Sequence, residues 1–160
     1  MSKPDKIAIF ADVQNIYYTT RQAYGRQFNY RAFWQRVDAQ GDIVSAIAYA
    51  IARDDDNQRK FQDALRHIGF SIKLKPYIQR SDGSAKGDWD VGITLDVMQI
   101  AKDVDKVILL SGDGDFDLLL EKVRADYGIC AEVYGVPSLT ANSLINAAST
   151  YHRIEDDLLL

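Results

Sequence analysis

Two short apolar runs, each ending abruptly in acid, constrain this chain most. Lys6-Ile7-Ala8-Ile9-Phe10-Ala11 shows no polar alternation before Asp12, and Lys106-Val107-Ile108-Leu109-Leu110 leads straight into Ser111-Gly112-Asp113. A strand with one face in water alternates polar and apolar residues; a strand covered on both faces reads as a continuous apolar run. Between and around these runs the pattern predicts helices over about 14–24, 30–39, 57–68, 90–101, 116–127 and 142–148. Further strands are expected at 43–52, 70–74, 130–136 and 151–154. The acidic turn Asp54-Asp55-Asp56-Asn57 supplies a helix N-cap, and Gly69 suits the end of that helix. Strands alternating with helices imply an α/β fold, a mostly parallel sheet with helices on both faces.

The 160 residues suit one domain, with its core at about 6–154. The polar stretch 79–88, with Gly83, Ser84 and Gly87, is the expected mobile loop. The single cysteine, Cys130, excludes an internal disulfide; set in the run Ile129-Cys130-Ala131-Glu132-Val133, it is expected to be a buried, inert thiol. No apolar signal segment follows Met1-Ser2-Lys3-Pro4-Asp5, and no run approaches about 18 apolar residues, so a cytoplasmic protein without membrane contact is expected. The net charge of -4 is unlike that of a generic nucleic-acid binder, but bound cations offset the carboxylates of a metal nuclease.

In open parallel sheets the functional crevice lies beyond the carboxyl ends of the strands. Three acidic clusters fall where such a crevice would be. One is Asp12-Val13-Gln14-Asn15, one is Asp113-Gly114-Asp115-Phe116-Asp117, and one is Asp88-Trp89-Asp90 at a helix start. Asp12, Asp90, Asp113 and Asp115 are therefore expected to converge. Clustered carboxylates repel one another, and a divalent cation removes that repulsion. Hard oxygen donors favour Mg2+ or Mn2+. His67 and His152 lie outside these motifs, so nothing points to zinc. Each acid also has an ordinary use: Asp12 as a turn former, Asp113 or Asp115 as the cap of the next helix, and Asp117 in a first helical turn. Asp96 lies in a nearly all-apolar helix, about 240° around from Asp90, and is expected to brace the site from a partly buried position.

These residues are where the sequence resembles the NYN domain family, in particular its LabA-like branch. The shared pattern is Asp12 with Asn15, then Lys86-Gly87 with Asp90 and Asp96, then Ser111-Gly112-Asp113-Gly114-Asp115-Phe116, in order between about residues 6 and 136. The resemblance implies a PIN-like, Rossmann-like three-layer sandwich and a divalent-metal ribonuclease site. Asp12, Asp90, Asp113 and Asp115 would then be catalytic and metal-binding. Asn15 and Ser111 would be polar supports; Asp117, from its place in a first helical turn, and Asp96, from its apolar helix, are expected as structural or supporting residues.

The expected partner is RNA, single-stranded for preference. Arg59, Lys60, Arg66, Lys73, Lys75, Arg80 and Lys86, against Asp63 and Asp82, make a basic stretch leading to the acids. Its other reading is a solvated face. Lys86 is the favoured phosphate contact. Most of the aromatic residues Tyr17, Tyr18, Tyr24, Phe28, Tyr30, Phe33 and Trp34 are expected in the core or at a homodimer or other protein contact. Tyr17 or Tyr18 can face the crevice for base stacking. The alternative function is a catalytically weak RNA-binding or regulatory module. A haloacid-dehalogenase-like phosphatase would need an acid where Gln14 stands, and no Gly-rich turn follows the first strand for a dinucleotide.

Overall fold

The computed structural model describes residues 4–52, 55–76, 78–79, 85–86 and 89–160. In chain order the regular elements are β1 (Lys6–Asp12), α1 (Val13–Tyr24), α2 (Tyr30–Asp38), β2 (Asp42–Ala52), α3 (Asp56–Ile68) and β3 (Ser71–Pro76). Two very short strands follow, β4 (Ile78–Gln79) and β5 (Ala85–Lys86), paired antiparallel to each other. Then come α4 (Asp90–Ala101), β6 (Lys106–Leu110), α5 (Asp117–Tyr127), β7 (Cys130–Gly135), α6 (Asn142–Ala147) and β8 (Thr150–Arg153). Six strands form one sheet in the order β3-β2-β1-β6-β7-β8, and every neighbouring pair is parallel.

Alternation along β1 shows why its sequence is apolar throughout. Ile7, Ile9 and Ala11 enter one core with Ile16, Phe33, Val37 and Leu65 of α1, α2 and α3. Ala8 and Phe10 enter a second core with Ile93, Val97, Leu120, Val123 and Leu144 of α4, α5 and α6. Successive side chains along a strand point to opposite faces, so both faces of β1 need covering. The result is a three-layer α/β sandwich. The chain works outward from β1 to β2 and β3, then crosses back to β6, so the strand order reverses between β1 and β6. A crevice opens at such a reversal.

The aromatic first third is mostly core, as its composition suggests. Phe28, Tyr30 and Phe33 are buried, and Tyr30 meets Phe61 and Phe70 edge-on. Cys130 departs from expectation: its side chain is exposed. It is the first residue of β7, at the strand's leading rim, whereas Ala131 and Val133 beyond it are fully buried. The expected mobile loop 79–88 lies largely outside the described residues, as does Asp88; only the paired backbones of Gln79 and Ala85–Lys86 belong to the fold given above.

Glu132, at 8% exposure, ties three strands together. Its carboxylate lies 3.2 Å from Lys106 Nζ of β6 and 2.8 Å from His152 Nε2 of β8. The His152 hydrogen bond outweighs burial and, with Lys106, holds the Glu132 carboxyl below its ordinary value. A depressed folded-state pKa stabilises the fold above the ordinary carboxylate value of about 4.3, and that stability is lost as pH falls through the folded value. Glu132→Gln keeps one acceptor oxygen and loses the charge. It should cost on the order of 1 kcal/mol at neutral pH. The gap between wild type and variant in urea unfolding should close as the pH drops below 4. A gap that persists unchanged into acid would exclude this role.

Candidate active site at the strand reversal

Asp12 is the last residue of β1 and the N-cap of α1. Its Oδ1 accepts the Asn15 N–H at 3.4 Å, and its Oδ2 accepts the Ser111 hydroxyl at 3.1 Å. Ser111, fully buried just past β6, in turn accepts the Asp113 N–H on its Oγ at 3.1 Å. Asn15 Oδ1 accepts the Gly112 N–H at 2.9 Å. The Asp12/Asn15 pair and the Ser111-Gly112-Asp113 turn thus fasten the ends of β1 and β6 to each other, across nearly a hundred residues of sequence. Gly112 is required by close approach, since a Cβ there would lie 2.6 Å from the Leu139 carbonyl oxygen.

Beyond this junction the backbone forms a 3-10 turn, Gly114–Phe116, before α5. Asp113 Oδ1 caps the turn by accepting the Asp115 N–H at 2.9 Å. Phe116 is buried in the second core and anchors the turn there. Asp117 Oδ1 accepts the Leu118 N–H at 2.6 Å, which fits its expected place in the first turn of α5.

Asp90 arrives from α4, where it occupies the first turn. Trp89 fixes that helix start. Its Nε1 donates to the Ala50 carbonyl at 2.9 Å, its ring packs 5.3 Å from that of Tyr49, and it lies over Gly92, where a Cβ would come within 2.6 Å of the indole. Carboxylate oxygens of Asp90, Asp113 and Asp115 all lie within 4.8 Å of one another. Asp90 and Asp113 are half-buried and Asp115 is exposed. Asp12 is not in this set of three; its carboxylate bonds to Asn15 and Ser111.

Three closely spaced carboxylates suit a hard divalent cation, and no His or Cys shares the cluster among the described residues. Burial, and next the nearby Asp12 charge, push the Tyr30 hydroxyl well above its ordinary pKa, so that side chain stays neutral beside the site.

Asp96 is not one of the three clustered carboxylates. It accepts hydrogen bonds from Tyr49 OH at 2.8 Å and Lys73 Nζ at 2.7 Å, tying α4 to β2 and β3. Burial first, and then the Asp96 hydrogen bond, raise the Tyr49 pKa and keep its hydroxyl protonated as a donor. The basic stretch divides. Arg59, Arg66 and Lys73 face Asp56, Asp63 and Asp96 in ion pairs, while Lys75 lies over the Trp89 ring at 4.7 Å, next to Asp90 in sequence. The Lys86 side chain lies outside the described residues. Tyr17 and Tyr18 are exposed on the second turn of α1. What pattern reading could not find is the Asn15 bond to Gly112, because nothing local in the sequence signals a contact so distant along the chain.

Comparison with known proteins agrees with this fold. A crystallised protein of unknown function from Vibrio parahaemolyticus is 56% identical and superposes with a TM-score of 0.95 over 100% of this chain and 99% of its own. Ribokinase from Giardia lamblia, 11% identical with a TM-score of 0.50 over 93% of this chain and 57% of its own, shares the fold alone. The low amplitude and bright protein LabA of Synechococcus elongatus is 30% identical over 96% of this chain and 86% of its own length. The NYN domain model matches residues 6–155, and the chain therefore belongs to the NYN domain family.

Proposed function

We propose that this protein is a metal-dependent ribonuclease that hydrolyses RNA phosphodiesters at the Asp90, Asp113 and Asp115 cluster. The observation that carries the proposal is the approach of those three carboxylates to within 4.8 Å at the strand reversal. Such a cluster is poorly explained by capping, since only Asp113 caps the turn there. Family membership supports a PIN-like nuclease fold and a nucleic-acid partner.

Asp90, Asp113 and Asp115 would hold Mg2+ or Mn2+, with Asp12 completing the acidic set from below through Ser111. A bound divalent ion there would supply positive charge to the phosphate and lower the pKa of water. The protein's own part is placement. Ser111 and Asn15 fix the turn carrying Asp113 and Asp115, and Trp89 fixes the helix carrying Asp90. Lys86, Tyr17 and Tyr18 are proposed RNA contacts. Among the described residues no helix is long and apolar enough to cross a membrane.

The test pairs thermal unfolding with cleavage of labelled single-stranded RNA, in manganese and in chelator. A cation present at about 100 times its Kd should raise the Tm by roughly 5–10 °C. Cleavage should occur only with the metal. Cleavage that persists in chelator would reject this chemistry. RNA binding with no cleavage in either condition would identify a binding module on the same fold.

A further inference from the structure

On the opposite face of the sheet from α4, a cleft of about 630 Å³ opens between α1 and α3. Tyr17, Tyr18 and Phe61 are among its apolar lining residues, and Gln14, Asn57 and Gln58, whose side chains end in carboxamides, are among its polar ones. The two tyrosine rings meet edge-on at 5.4 Å and remain 43% and 52% exposed, an unusual state for large aromatic groups in a chain that buries most of its others. The Arg21 guanidinium sits 5.7 Å from the Tyr17 ring centre. The Asp55 carboxylate at the rim is engaged as the cap of α3, accepting the Gln58 N–H at 2.8 Å.

We propose that this cleft receives an unpaired nucleobase of the bound RNA, next to the nucleotide at the acidic cluster. Three features together fit a nucleotide. Ring faces stack on any base. Carboxamides carry both donors and acceptors and can pair with a base edge. An arginine beside the Tyr17 ring suits the attached phosphate. The cavity also falls in the size range of small-ligand pockets.

The connection to the acids is covalent and short. Val13 and Gln14 line the cleft, while Asp12 and Asn15, their chain neighbours, hold the turn that carries Asp113. From Val13 to Tyr17 the helix rises about 6 Å, so an RNA strand crossing the first turn of α1 would reach both places.

This inference rests on the nucleic-acid reading above, and its test does not depend on cleavage. Binding of a fluorescein-labelled ten-nucleotide single-stranded RNA is measured by anisotropy in chelator. The proteins compared are wild type, Tyr17→Leu/Tyr18→Leu and Tyr17→Phe/Tyr18→Phe. Leucine keeps apolar bulk and removes the ring; because both positions are exposed, the fold should be unaffected, and thermal unfolding checks this. The expected result is a Kd raised about 5- to 150-fold by the leucine pair and nearly restored by the phenylalanine pair. A 2-aminopurine placed in the RNA should be quenched by wild type and not by the leucine pair. Wild type and leucine variant binding equally would overturn the cleft assignment and leave the nucleic-acid reading standing. Absence of RNA binding by wild type would overturn both, and the cleft would then belong to another ligand.

Discussion

Asp113→Asn is expected to lower manganese-dependent RNA cleavage about a thousandfold or more while changing stability by no more than ~1 kcal/mol. The two effects separate because Asp113 has two jobs. Its Oδ1 accepts the Asp115 N–H at 2.9 Å, and an asparagine carbonyl can accept the same bond. Its negative charge stands within 4.8 Å of Asp90 and Asp115, and asparagine cannot replace that charge. With one of three carboxylates neutral, the hold on a divalent cation weakens. Repulsion among the remaining acids also falls, so the metal-free variant should be as stable as wild type or slightly more so. The stabilisation that manganese gives wild type should shrink in parallel with activity. Asp113→Ala separates the roles further, because it loses the cap as well and should cost about 0.5–2 kcal/mol. Full manganese-dependent cleavage by Asp113→Asn would show that this carboxylate is a cap and nothing more.

The fold was legible where burial leaves a direct mark on composition. Residues 6–11 and 106–110 read as strands covered on both faces, and each face of β1 enters a separate core. The position of the acids was legible for a topological reason: a parallel sheet places its strand ends on one edge, so acids following two apolar runs had to meet there. Sequence could not rank those acids. Asp12 and Asp113 follow their strands alike, yet Asp12 is turned into the bonds with Asn15 and Ser111 while Asp113 faces Asp90 and Asp115. That difference comes from caps and long-range hydrogen bonds, which leave no periodic trace. Cys130 shows the same limit from the other side. An apolar run reports that a strand is buried along its length, but not how far the covering helices reach past its first residue. Of the α1–α3 cleft, the sequence offered only Tyr17 or Tyr18 as a ring facing the crevice. A gap between helices is a property of packing, and its lining comes from three separated parts of the chain.

Asn15→Ala should show how much of the activity depends on placement and not on charge. Asn15 carries no charge and lies outside the carboxylate cluster, but its Oδ1 holds the buried Gly112 N–H at 2.9 Å. Alanine leaves that donor without its acceptor in a tightly packed turn, where even a Cβ on Gly112 would strike the Leu139 carbonyl. Loss of such a buried bond costs about 1–3 kcal/mol. The turn it releases carries Asp113 and Asp115, so cation affinity and cleavage should fall about 10- to 100-fold, the usual cost of removing a group that orients metal ligands. Asn15→Asp is the discriminating companion. It restores an acceptor to Gly112 and so should recover stability, but it adds a fifth negative charge to a site already holding Asp12, Asp90, Asp113 and Asp115. Without metal it should be less stable than wild type, and manganese should stabilise it more strongly than it stabilises the alanine variant. Measured together, unfolding with and without manganese and single-turnover cleavage separate the two contributions. If Asn15→Ala matched wild type in all of these, the bond to Gly112 would be incidental to the site.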